Sequence, residues 1–147
     1  MSDGNRRLVE QVFYEANFVG SMGIELLSFG AGWCETQLKI SPTHSQQHGF
    51  VHAGVLMTLA DHTCGAAAAS TVPDNKDVIT VENKVSFLRP GLGPVLKCRA
   101  EVLRAGTSLV FVEAAVMGER DGAAVMVAKA SSTLAVIPAK PARPSGS

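Results

Sequence analysis

Residues Val55 to Ala69, VLMTLADHTCGAAAA, are more apolar than any surface helix can be, and this limits what the chain can become. The segment is too long for a strand and is apolar on every side at helical spacing, so it predicts a helix enclosed by protein, from about Ala53 to Ser70. Asp61 lies in its middle. Burying an unpaired carboxylate is costly, so a partner or a task is expected there, and Asp61 is the first candidate for chemistry. The segment before it, Gln46-Gln47-His48-Gly49-Phe50-Val51-His52-Ala53-Gly54, is the densest cluster of polar and glycine residues in the chain. Loop and helix together are the expected functional region.

The rest of the sequence supplies the wrapping. Leu8, Val9, Val12, Phe13 and Ala16 recur at helical spacing, with Arg6, Arg7, Glu10 and Glu15 opposite, and predict a short surface helix. Gly23 to Ile40 predicts a hairpin turning at Gly30-Ala31-Gly32. After the helix, Val78 to Leu88 predicts a strand that ends at Arg89-Pro90-Gly91. Leu96, Cys98, Ala100 and Val102 alternate with Lys97, Arg99 and Glu101, the pattern of a half-buried antiparallel strand. Turns at Ala105-Gly106-Thr107 and Arg120-Asp121-Gly122 lead into strands over 108–117 and 123–137. One apolar helix with one sheet is most simply an α+β fold in which an antiparallel sheet curls around the helix, with a second subunit covering what the sheet leaves open. The expected organisation is a helical lead-in over 1–20, one domain over 21–137, and a Pro- and Ala-rich tail over 138–147 too poor in apolar residues to fold.

Composition excludes several classes. With 147 residues the chain holds one domain with a sizeable core. Lys plus Arg and Asp plus Glu both number 13, so no basic field is present to hold a nucleic acid. Cys34, Cys64 and Cys98 are odd in number, widely spaced and set among apolar neighbours, which predicts buried thiols in a reducing compartment. The N-terminal segment is amphipathic rather than a signal sequence, and the Ala-rich helix is interrupted by polar residues, so a cytoplasmic protein without a membrane span is expected. His44, His48 and His52 recur every four residues, but Pro42 and Gly49 oppose the helix that would align them, and no metal site is expected.

The succession of strand pair, polar loop with His52-Ala53-Gly54, helix with Leu59-Ala60-Asp61, and strands resembles the hotdog fold, specifically the PaaI-type acyl-CoA thioesterases, over roughly residues 20 to 137. That family carries a His-Gly-Gly turn at the helix start and an acid about two turns later. Here Ala53 replaces the first glycine, and the family's loop asparagine falls on Gln46; a backbone N–H survives the first change and an amide the second. The resemblance implies an antiparallel sheet around one long central helix, and hydrolysis of acyl-CoA to free acid and CoA without cofactor. It also implies sites built across a homodimer, with a dimer of dimers beyond it. Thr80 falls where relatives carry a Ser or Thr that holds water with the acid, and Arg89, Arg104, Gly106 and Thr107 lie in turns that approach the CoA nucleotide.

The residues support a mechanism of their own. Eight residues separate Ala53 from Asp61, about 12 Å of helix, so one substrate carbonyl cannot touch both. If the helix start polarises the carbonyl through the N–H of Ala53, with or without that of Gly54, the acid must come from a second subunit. Asp61, short of water and so a stronger base, would activate water or attack the carbonyl itself. Gln46 would orient thioester or water, His52 would shape the turn beside the substrate, and Phe50, Met57 and Phe87 would line the acyl pocket. Two other classes stay open. A hotdog hydratase or dehydratase needs a catalytic His paired with an acid, and His62 points to another helix face than Asp61. A non-catalytic acyl-CoA-binding module would bind without releasing thiol.

Overall fold

The computed structural model describes residues 1–141, so most of the expected tail lies outside the described residues. The chain runs α1 (Asp3–Tyr14), α2 (Asn17–Met22), β1 (Ile24–Gly30), β2 (Trp33–Lys39), a 3-10 turn (Pro42–His44), α3 (Ala53–Ala69), β3 (Lys76–Phe87), β4 (Val95–Ala105), β5 (Leu109–Arg120) and β6 (Ala123–Pro138). The strand β6 extends one residue into the expected tail. The helix α2 was not expected: six residues with Gly20 among them are too few to show a helical period.

All six strands form one antiparallel sheet in the order β1-β2-β4-β5-β6-β3, curled around α3 in the hotdog arrangement. The meander is β4-β5-β6, and β3 sits at the far edge against β6, because α3 carries the chain across the sheet before β3 begins. Alternation decides the faces. Leu96, Cys98 and Ala100 of β4 are buried against the helix side, and Lys97, Arg99 and Glu101 between them point outward. Cys34, Thr36 and Leu38 of β2 share that inner face with Val110, Val112 and Val116 of β5. All three cysteines are free and buried; burial pushes Cys34 and Cys98 up to about 12 and raises Cys64 as well, so none is a ready thiolate. No helix among the described residues is long and apolar enough to cross a membrane.

One buried side chain ties the lead-in to the central helix. Asn5 of α1 donates from Nδ2 to the carbonyls of Ala69 (3.1 Å), which α3 leaves open at its C-terminal end, and Val72 (2.5 Å), in the turn just beyond it. Asn5→Ala strands both carbonyls and is expected to lower unfolding free energy by about 2 kcal/mol, measured by urea denaturation.

The helix is less enclosed than its composition predicts. The sheet covers one side of α3 and α1 another, where His62 Nε2 meets the Val12 carbonyl at 2.8 Å and the ring packs edge-on against Phe13. A strip of Gly54, Met57, Thr58, Asp61 and Gly65 is left exposed or half-buried. Met57 is 41% exposed and Asp61 half-buried, so Asp61 is not a core carboxylate within one chain. Among the described residues no further element lies over that strip.

Candidate active site

The site begins at the α3 N-terminus. His52 is its N-cap: its extended backbone turns the chain into the helix, and its Nδ1 accepts the Gly54 N–H at 2.8 Å. The N–H groups of Val55 and Leu56 go to the His52 carbonyl, at 2.9 and 3.3 Å. The Gly54 donor, expected to be available to substrate, is therefore occupied. Ala53 is the first residue of the helix, exposed, and its N–H meets no acceptor among the described residues. One unsatisfied donor remains at the positive end of a 17-residue helix.

The loop before it is held in shape by Gln46. Its backbone N–H donates to the Phe50 carbonyl (2.8 Å), its carbonyl accepts from Gly49 (3.0 Å), and its side-chain Oε1 accepts the His48 N–H. Gly49 has a φ of 84°, a left-handed conformation that suits glycine in this tight turn. With Oε1 engaged, what Gln46 offers a ligand is its NH2. Gln46, Phe50, Ala53, Phe87 and Arg89 line one cavity beside the helix start, and Arg89 is anchored there by its Nη1 on the Met126 carbonyl at 2.9 Å.

Two turns along α3, Asp61 Oδ1 accepts the Thr80 hydroxyl at 2.9 Å. A β-bulge at Val81 shifts the register between Thr80 and Glu82, and Thr80, opposite buried Leu134, faces the helix. The bond fixes the carboxylate, and Oδ2 meets no hydrogen-bond partner among the described residues. His62 faces α1 instead, and burial holds its imidazole below the usual histidine range. His44 is buried, with Nε2 on the Met22 carbonyl at 2.7 Å.

The expected residues thus fall into three groups. Gln46, Phe50, His52, Ala53, Gly54, Phe87 and Arg89 gather at the helix start, while Met57, Asp61 and Thr80 lie along or beside the open strip. Arg104, Gly106 and Thr107 stand at the other end: the neighbouring Ser108 carbonyl accepts from Val136, and the Gly32 beside β4 is tied to Ser70 at the helix C-terminus. Within one chain they do not approach the helix start. Two features escaped the sequence. Asn83, on the inner face of β3 opposite buried Ser132, carries a buried Oδ1 with no hydrogen-bond partner among the described residues. On α2, Phe18, Ser21 and Met22 wall a second cavity, which no periodicity in so short a helix could reveal.

Comparison with known proteins bears on this geometry. A family model described as the thioesterase superfamily matches residues 48–125. A thioesterase family protein of Silicibacter pomeroyi, known from its crystal structure, is 32% identical and superposes with a TM-score of 0.88 over 92% of this chain and 99% of its own. The 1,4-dihydroxy-2-naphthoyl-CoA hydrolase of Listeria monocytogenes is 26% identical over 101 residues, 69% of this chain and 82% of that protein. The E. coli PaaI protein, from the phenylacetic acid degradation operon, shares the fold, with a TM-score of 0.81 over 92% of this chain and 95% of its own at 19% identity.

Proposed function

This chain belongs to the thioesterase superfamily and is a thioester hydrolase, and on that premise we propose that its substrates are acyl-CoAs, hydrolysed at two sites shared across a cytoplasmic homodimer. The observation that carries the proposal is the separation of two half-sites on one helix: a free Ala53 N–H at its start and a carboxylate held by Thr80 eight residues later. About 12 Å of helix divides them, so they act on one carbonyl only if a second copy runs its helix the other way along the open strip. The strip suits that partner, because Gly65 is small and lets another helix come close, while Gly54 and Thr58 at its edge also wall the cavity towards α2. The neighbouring edge strand β3 also lacks cover: Ile79 is 55% and Val81 58% exposed, and Asn83 keeps its buried orphan oxygen.

Charge assigns the roles. The thioester oxygen accepts the Ala53 N–H at the positive helix end, which stabilises the negative charge that builds there as the carbonyl is attacked. Asp61 of the other subunit takes a proton through Oδ2 from a water whose oxygen bonds to the carbonyl carbon. As the tetrahedral intermediate collapses the C–S bond breaks, the sulfur leaves with its electron pair, and the proton on Asp61 returns to it. Gln46 orients the thioester with its NH2, Met57 lines the substrate pocket from the strip, and His52 keeps the helix start in shape. The anchored Arg89 faces CoA phosphate, and Arg104, Gly106 and Thr107 reach the nucleotide from the far end of a neighbouring subunit, within a dimer or a dimer of dimers.

The decisive assay is thiol release across a panel of acyl-CoAs, where binding without release from any of them sinks the enzyme mechanism. Thr80→Val keeps shape and removes the hydroxyl; kcat is expected to fall about tenfold, the worth of a hydrogen bond to a charged group, with melting temperature little changed.

A further inference from the structure

Two cavities flank the start of α3, and they differ in charge. The first, about 350 Å³, is lined by Ala53, the residue whose N–H is unsatisfied, and by Arg89. It continues into a groove shared by Phe50 and Arg89, where Arg120 stands beside Glu119. The second, about 560 Å³, opens on the other flank of the helix between Phe18, Ser21 and Met22 of α2 and Gly54, Val55 and Thr58 of α3. It is lined by no carboxylate, lysine or arginine. Its two imidazoles both spend Nδ1 as an acceptor, His44 from the Ser41 N–H at 3.0 Å and His52 from the Gly54 N–H at 2.8 Å, an arrangement that only a neutral ring can make.

A thioester carbonyl carbon carries two arms that diverge, one through sulfur and one through the acyl chain. With its oxygen on the Ala53 N–H, the molecule straddles the boundary between adjacent residues that wall different cavities, so each cavity receives one arm. Charge decides which. The phosphates of CoA belong on the side of Arg89 and Arg120, and the uncharged side is left for the acyl group. We infer that the α2–α3 cavity is the acyl pocket and selects compact, uncharged acyl groups, aromatic or aliphatic. An acyl group ending in a carboxylate would lose its water there without gaining a cation. Phe50 and Phe87, on the other flank, then pack against the CoA arm. This assignment rests on the acyl-CoA reading of the preceding section.

Two substitutions on the exposed wall test it with opposite signs. Ser21→Trp fills the pocket, and the ratio of kcat/KM for octanoyl- or phenylacetyl-CoA to that for the shortest acyl-CoA turned over should fall about tenfold or more. Phe18→Ala opens it, and the same ratio should rise, a gain that misfolding cannot produce. Glutaryl-CoA should be poor with the wild-type protein and with both variants. The inference is overturned if both substitutions scale all acyl-CoAs equally, or if the acyl range follows Phe50→Ala and Phe87→Ala instead. A wild-type protein that releases no thiol from any acyl-CoA overturns the proposed function itself, a separate outcome.

Discussion

Asp61→Asn should lower kcat about a thousandfold while KM for the best acyl-CoA and the melting temperature stay close to wild type. The substitution is nearly isosteric, and its amide oxygen can still accept the Thr80 hydroxyl that Oδ1 accepts at 2.9 Å, so the packing between α3 and β3 is kept. What disappears is the ability to take a proton from water. A loss confined to kcat means an interaction made in the transition state and not in substrate binding. Turnover within a few-fold of wild type, in a folded protein, would remove Asp61 from the mechanism and reduce its bond with Thr80 to a structural contact. A single turnover in heavy-oxygen water tests for the nucleophilic route: label found on Asp61 shows a mixed anhydride opened by water at the Asp61 carbonyl carbon, whereas a general base puts label only in the released acid.

The sequence carried the fold further than the site, and the difference is one of range. Hydrophobic period, turn glycines and the one apolar helix are local signals, and they located each of the six strands and α3. The place of β3 at the far edge is not local, since no pattern within Val78 to Leu88 says that its neighbour will be β6. Asp61 stood out by polarity alone, and Thr80 by resemblance; their hydrogen bond needed the bulge at Val81, which alternation does not encode. The enclosure of α3 was overestimated because apolar composition reports that a face will be covered, not that the same chain will cover it. The occupied N–H of Gly54 was equally invisible, because whether His52 turns its ring inward as a cap depends on a rotamer. The α2 wall was missed for want of length.

The second large effect follows from Ala53. Proline is well suited to the first position of a helix, and the extended backbone of His52, with φ −61° and ψ 140°, is what the residue before a proline adopts. Ala53→Pro therefore deletes the one free N–H of the helix start and disturbs little else, and kcat is expected to fall by a factor of about a hundred to a thousand, as when one oxyanion donor is removed. Its value lies in combination with Asp61→Asn. If each site takes its donor from one subunit and its acid from the other, a heterodimer of the two variants has one site with both defects and one with neither. Random reassociation makes about half of the dimers mixed, so unfolding and refolding the two inactive proteins together should return about a quarter of wild-type activity. Sites confined to single subunits predict none, because every subunit then carries a defect. Mixed dimers verified by differential tagging, yet inactive, would end the shared-site mechanism and require donor and acid to meet along one helix, a meeting that its 12 Å or so of separation forbids without remodelling.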